Sequence, residues 1–176
     1  MNTLSVHSVI AVMFLLSSPL LSQAHVSSSL RQPFPELRAI IPELAGNWCF
    51  DIYAPGRTTP IATGRRQMRL LSDSTKLVWI ETFNTSSDTG TGILGYDSKK
   101  GVYYLLGAYT HEAHPVAQLG HLGSSGRAIV FDSTSSNIAL PGVFIASELQ
   151  LVDSTRFEWV ASDRSWRAVF TRISGS

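Results

Sequence analysis

Short runs in which apolar and polar residues alternate fill most of this chain, and they constrain its fold more than any other feature. The run KLVWIETFN shows the pattern most clearly, since four of its residues share one side of an extended chain: Leu77, Trp79, Glu81 and Phe83. A period of two is typical of β-strands, and no long run at the helical period of about 3.6 competes with it. The sequence therefore predicts an all-β protein.

Clusters of Gly, Ser, Asp and Asn interrupt these runs about every ten residues. Connections such as DSKKG and LGSSG are short and end in glycine, which suits β-hairpins. Successive hairpins favour a single up-and-down antiparallel barrel of about eight to ten strands, because closure removes the exposed edges. A sandwich would need longer crossovers than most of these connections allow. The predicted strands are 47–53, 65–72, 76–84, 91–97, 102–110, 115–121, 126–132, 142–152, 155–161 and 165–173.

The N-terminal 24 residues have the pattern of a secretory signal peptide. An apolar block from Val9 to Leu16 precedes Ser22 and Ala24, the small residues that flank a permitted cleavage site. No Lys or Arg precedes the block, and it is shorter than the roughly 20 apolar residues of a membrane span. We therefore expect a secreted or periplasmic protein without a membrane anchor after cleavage.

The remaining chain divides into two parts. Residues 25–43 are predicted to be a flexible lead-in with a short helical turn over 36–41, ended by Pro42. Residues 44–176 are predicted to form the barrel domain, where the two longest connections, 54–64 and 133–142, are expected at the open mouth.

Charge and cysteine content exclude some classes of protein. Fourteen basic residues against thirteen acidic ones give a nearly neutral chain, which argues against a nucleic-acid partner. Arg65, Arg66 and Arg69 are interpreted as a solvated strand face. The single cysteine, Cys49, excludes an internal disulfide and is expected to be a small buried hydrophobe.

The stretch LAGNW predicts how the barrel closes. Gly46 lets the backbone turn sharply into the first strand, and Trp48 then points inward and plugs the closed end. Arg172, on the last strand, is placed in chain order to lie over the Trp48 ring.

Gly46-x-Trp48 with Arg172 resembles the lipocalins and the wider calycin superfamily. The hairpin residues Gly95-Tyr96-Asp97 resemble the bacterial domain-of-unknown-function family numbered 1579, and the likeness covers roughly residues 44–173. It implies a calycin-like barrel that binds a small, largely apolar ligand. The chain departs from nitrobindin-like haem barrels after Trp48, and no cofactor is expected.

The aromatic residues supply the candidate ligand site, although a filled core is the alternative interpretation of the same residues. A packed interior would favour an interaction or inhibitor protein with unknown partner, whereas a cavity of about 300 Å³ or more would favour a ligand. Secreted barrel inhibitors with a similar start typically carry a disulfide that this chain cannot make. The candidate lining residues are Trp79, Tyr104, Tyr109, Phe144 and Trp159.

The third hypothesis is a metal-dependent enzyme that uses the loop YTHEAHP. His111 and His114, with Glu112 or His121, have side chains that zinc accepts, but the spacing is not the helical H-E-x-x-H arrangement. We interpret the loop as solvated and expect no metal site. No pair of carboxylates has recognisable acid and base roles, so no catalytic residue is predicted and a protein that is not an enzyme is favoured; the acidic residues considered are Asp51, Glu81, Asp132, Glu148 and Glu158.

Overall fold

The computed structural model of the chain describes residues 36–113, 115–132 and 146–174. The predicted signal peptide, the lead-in as far as residue 35, His114, the loop 133–142 and Phe144 lie outside these described residues.

One helix precedes ten strands. The helix, α1, covers Glu36–Glu43. The strands are β1 Gly46–Tyr53, β2 Ala62–Leu70, β3 Lys76–Phe83, β4 Thr89–Asp97, β5 Val102–Tyr109, β6 Val116–Leu122, β7 Ala128–Phe131, β8 Ser147–Asp153, β9 Arg156–Ala161 and β10 Arg167–Arg172.

The ten strands form one closed antiparallel barrel. Each strand pairs with its neighbours in chain order, and β1 pairs with β10 to complete the circle. The closing register sets Trp48 opposite Arg172 and Phe50 opposite Phe170. The predicted fold class, an up-and-down barrel with a short helical segment before the first strand, is confirmed.

The helix is longer than predicted and belongs to the folded body. It continues through Pro42 to Glu43, so the expectation that Pro42 ends it was wrong. Ile40 and Ile41 are buried in the same apolar cluster as the barrel interior, which makes this end of the predicted lead-in part of the core. No helix in the described part of the chain is long and apolar enough to cross a membrane.

Alternation along β1 decides which side chains enter the barrel. Trp48 and Phe50 point inward and are buried, so Cys49 between them points outward and is exposed. The expectation that Cys49 is buried was therefore wrong, because neighbouring residues of a strand face opposite sides of the sheet.

Aromatic rings fill the barrel at the end where β1 begins. Trp48 meets Phe157 edge-on at a centroid distance of 4.7 Å, and Phe157 stacks on Phe170 at 4.2 Å. Trp48 also donates a hydrogen bond of 2.9 Å from Nε1 to the carbonyl oxygen of Leu44, just after α1. These contacts satisfy the polar end of the indole while its apolar body is buried.

Arg172 ties the last strand to the helix end and to a turn. Its Cζ lies 4.2 Å from the centroid of the Trp48 ring. Its guanidinium donates hydrogen bonds to the carbonyl oxygens of Glu43 at 2.6 Å, Ala45 at 2.6 Å and Ser154 at 2.7 Å. One side chain therefore links α1, the β8–β9 turn and the ring that fills the closed end.

Gly46 makes this arrangement sterically feasible. Its φ of 141° lies in a region that side chains other than glycine rarely adopt, and a Cβ there would collide with Nη1 of Arg172.

A double-mutant cycle tests this closure. Trp48→Ala is expected to lower the free energy of unfolding by about 3–5 kcal/mol, the range for losing a buried aromatic side chain. Arg172→Ala should cost less, and the double variant should cost less than the sum, because both changes remove one shared contact. Urea denaturation measures all four proteins. The control combines Trp48→Ala with Arg69→Ala; Arg69 is an exposed arginine of β2, and these two losses should add. Additive losses for Trp48 and Arg172 would contradict the stacking.

Candidate functional site

The opposite end of the barrel is hollow. A cavity of about 460 Å³ occupies it, bounded by the inward residues of the strands and by Ile61, which precedes β2. Leu77 and Phe157, which lie nearer the filled end, do not line it. The lining residues are Phe50, Ile52, Ile61, Arg66, Trp79, Glu81, Phe83, Leu105, Gly107, Tyr109, His111, Glu112, Val116, Gln118, Trp159, Trp166, Ala168 and Phe170.

A buried ion pair lies at the inner limit of this cavity. Arg66 and Glu81 are only 4% and 2% exposed, and Nε and Nη2 of the guanidinium both contact Oε2 of the carboxylate. The two residues face each other directly across the β2–β3 ladder. Removing charges from water is costly, so each of these groups depends on the other for compensation.

Aromatic rings surround the Arg66 guanidinium. Its Cζ lies 4.6 Å from the ring centroid of Phe170, 4.8 Å from that of Trp79 and 5.3 Å from that of Trp159. A cation–π contact stabilises a cation by about 2 kcal/mol or more when the cation is removed from water. They also connect the pair, through Phe170, to the aromatic cluster of the closed end.

Two more polar side chains accompany the pair. Gln118 of β6 is buried and lines the cavity. Tyr109 of β5 also lines the cavity and carries a phenol group. Burial raises the pKa of Tyr109 to about 12, and the nearby positive charge of Arg66 opposes that rise. The phenol is therefore neutral at physiological pH and can donate a hydrogen bond. We call Arg66, Glu81 and Gln118 the polar floor.

Trp79 of β3 forms one wall of the cavity at a place where the next two strands, β4 and β5, carry glycine. A Cβ at Gly92 would collide with the indole, and one at Gly107 would lie 2.9 Å from its Cζ2. The glycines thus let the ring lie close against the backbone of β4 and β5. Nε1 of Trp79 is buried and has no hydrogen-bond partner among the described residues.

His111 sits at the rim. Its ring packs against Phe83 and Tyr109 at centroid distances of 5.9 Å and 5.4 Å. Two carboxylates flank it, with 3.8 Å from Nδ1 to Asp88 Oδ2 and 3.7 Å from Nε2 to Glu112 Oε1. This side of the mouth is therefore acidic.

The structure brings three of the five predicted lining residues together. Trp79, Tyr109 and Trp159 line the cavity. Tyr104 does not, because it is five positions before Tyr109 on β5 and an odd spacing puts it on the outer face of the sheet. Phe144 lies outside the described residues.

The weak metal candidates do not converge where they are described. His111 is at the rim, whereas His121 points outward from β6, is 58% exposed and lies 3.8 Å from Asp132. His114 is outside the described residues. Within 36–113, 115–132 and 146–174, no three His, Cys, Asp or Glu side chains lie close enough together to hold a metal ion.

The polar floor was missed by the sequence prediction, although the sequence carried a signal for it. Alternation already set Glu81 on the same face as Trp79 and Phe83, a face that must be buried. A tight turn near Asp73 and Ser74 then pairs Glu81 with Arg66 in a symmetric hairpin. The interpretation of Arg66 as part of a solvated face was wrong, since only Arg65 and Arg69 point outward.

Comparison with known proteins finds similar solved structures but no family. No family model matches the chain, and no curated protein matches it. A redesigned β-barrel among the solved structures is similar at 15% identity and a TM-score of 0.44, over 77% of this chain and 96% of that one. A likeness at this level carries no argument about what the chain binds.

The mutual dependence of Arg66 and Glu81 is testable by unfolding experiments. Glu81→Leu alone should cost about 3–5 kcal/mol, because it leaves a buried guanidinium uncompensated. Adding Arg66→Met should restore most of the loss, since the double variant buries no charge. Urea denaturation compares the three proteins.

The matched control is the pair Arg156 and Glu158, whose side chains are 44% and 21% exposed. Breaking that pair should cost only about 0–1 kcal/mol. A double variant that is no more stable than Glu81→Leu alone would contradict the pairing.

Proposed function

We propose that this protein binds a small, largely apolar ligand in the hollow half of its barrel. The observation that carries the proposal is the cavity of about 460 Å³, whose walls are mostly aromatic and aliphatic. Ligand sites in proteins are typically concave, about 300–1,000 Å³, and apolar with a few polar groups. The aromatic walls supply buried contact area, and the polar floor limits how deeply a ligand enters.

Because the charges of the polar floor balance each other, the part of the ligand that lies inside the barrel is expected to be uncharged. Arg66 and Glu81 neutralise each other, so an apolar group can cover them without leaving a single charge buried. The neutral Tyr109 phenol and the Gln118 amide can orient one polar group of the ligand. The indole Nε1 of Trp79 supplies a further donor that has no partner in the described structure.

The volume of the cavity also favours this function over the alternative of an interaction or inhibitor protein. That alternative uses the barrel only as a scaffold and expects a packed interior. Here the packed part ends at Phe157 and Phe170, and open space begins beyond it.

A calycin-like relationship is part of the same proposal. The contact of Arg172 with the Trp48 ring, next to Gly46, supports the resemblance to lipocalins that the motif suggests. The likeness to the family numbered 1579 rests on Gly95-Tyr96-Asp97 in the sequence.

We also propose that the protein is secreted or periplasmic, on the strength of the sequence of residues 1–24. The mature chain is then expected to begin at His25, after the small residues Ser22 and Ala24. N-terminal sequencing of protein from its own host measures this, and an intact Met1 on the soluble product would contradict it.

Filling the cavity tests the binding proposal. Ala168 is buried on the cavity face of β10, whereas its neighbour Val169 points outward. Ala168→Phe is expected to abolish binding of the neutral fluorescent dye phenylnaphthylamine, because the new ring occupies the ligand volume. Val169→Phe adds the same ring outside the barrel and should leave binding within about twofold.

Fluorescence titration measures the dye, and thermal denaturation shows that both variants fold. Equal binding by the parent protein and Ala168→Phe would contradict the proposal.

A further inference from the structure

A second, smaller pocket opens beside the mouth of the main cavity, and its charge is of one sign. It has a volume of about 300 Å³ and lies between the β1–β2 connection and the β9–β10 turn. Among the described residues, its walls contain no carboxylate. The lining residues are Tyr53, Ala54, Pro55, Gly56, Arg57, Val160, Arg164, Trp166 and Arg167. We call it the rim pocket.

Two of its three arginines have no anionic partner in the described structure. Arg57 and Arg164 are exposed and form no ion pair or side-chain hydrogen bond among the described residues. The positive charge of Arg167 is partly compensated by Glu158, since Nη1 lies 3.9 Å from Glu158 Oε2. Its Cζ also lies 5.1 Å from the ring centroid of Tyr53. The rim pocket therefore carries a net positive charge.

The backbone at Arg164 is unusual. Its φ is +63°, a left-handed conformation that glycine adopts readily and that costs another residue about 1–2 kcal/mol. Asp163 beside it stays ionised, since hydrogen bonds from Ser165 lower the pKa of its carboxyl, but it is not among the described residues that line the pocket. An arginine is thus held, against backbone preference, in a turn where glycine would fit better.

Trp166 joins the rim pocket to the main cavity. It lines both, and its ring meets Trp159 of the cavity wall edge-on at 6.1 Å. A ligand seated in the barrel against Trp159 can therefore extend past Trp166 to the arginines. The other side of the mouth carries Asp88 and Glu112 around His111, which disfavours a negative group there.

We propose that the rim pocket binds the anionic group of an amphipathic ligand, a carboxylate, sulfonate or phosphate, whose apolar body occupies the barrel. This inference rests on the proposed ligand binding and specifies the class of ligand. Arginine suits such groups because its planar guanidinium donates paired hydrogen bonds to their oxygens. The self-neutralised pair at the floor leaves the rim as the place where a negative charge is compensated.

Two dyes that differ by one anionic group test the proposal. Anilinonaphthalene sulfonate and its uncharged parent, phenylnaphthylamine, share the same aromatic skeleton. The protein should bind the sulfonate dye more tightly, and the double variant Arg57→Gln with Arg164→Gly should weaken that dye about tenfold, a loss of about 1.4 kcal/mol. Binding of the neutral dye should stay within about twofold. Added salt should reduce the preference for the sulfonate dye in the parent protein.

Thermal stability and a separate arginine variant serve as the controls. Arg164→Gly removes the charge and the backbone strain together, so the fold is expected to keep or gain thermal stability. Arg69→Gln removes one positive charge from the outer face of β2, near the closed end, and should leave the affinities for both dyes unchanged.

The outcomes separate the two proposals. If the neutral dye binds in the barrel but the sulfonate dye is no tighter, or is unaffected by the double variant, the rim pocket does not bind anions and only this inference fails. If neither dye binds, the proposed ligand binding fails and this inference fails with it.

Discussion

A closed barrel of ten strands encloses a fixed interior, and that volume must be filled by side chains, by a ligand or by water. Barrel diameter grows with strand number, and about eight strands already enclose room for a layer of side chains or one small ligand. In this protein the filled end uses Trp48, Phe157 and Phe170, together with the residues of α1 that pack beneath them. At the other end the inward aromatic and aliphatic side chains line the walls and leave the centre open, and glycine, alanine and a pair of charged residues also face inward.

Arg66 and Glu81 mark the transition between the two halves. Packed against Phe170 and Trp79, the guanidinium has aromatic neighbours on the inside and open space beyond. A buried pair of this kind contributes little net stability compared with apolar residues of similar size. The pair stops the aromatic core from extending to the mouth and gives the cavity a polar end, a position that fits the proposed ligand site.

The sequence was sufficient for the architecture because period-two alternation and hairpin turns are local signals. It also placed Trp79, Tyr109 and Trp159 correctly as inward residues. The same alternation contradicts two other predictions. Cys49 lies between two inward residues and so points outward, and Tyr104 is an odd number of positions from Tyr109 and so lies on the other face of the sheet. Pro42 was misjudged because burial of Ile40 and Ile41 against the barrel outweighs the local preference of proline. The cavity and the rim pocket could not be predicted, since they depend on how side chains from distant strands share space.

The most direct test of a barrel filled at one end and hollow at the other is a crystal structure of the protein soaked with phenylnaphthylamine. We expect electron density for the dye inside the barrel, on the mouth side of the Arg66 guanidinium and its three aromatic neighbours, with the Arg66–Glu81 pair intact beneath it. Dye bound only on the outer surface, or an interior in which side chains fill the space above that pair, would contradict the account.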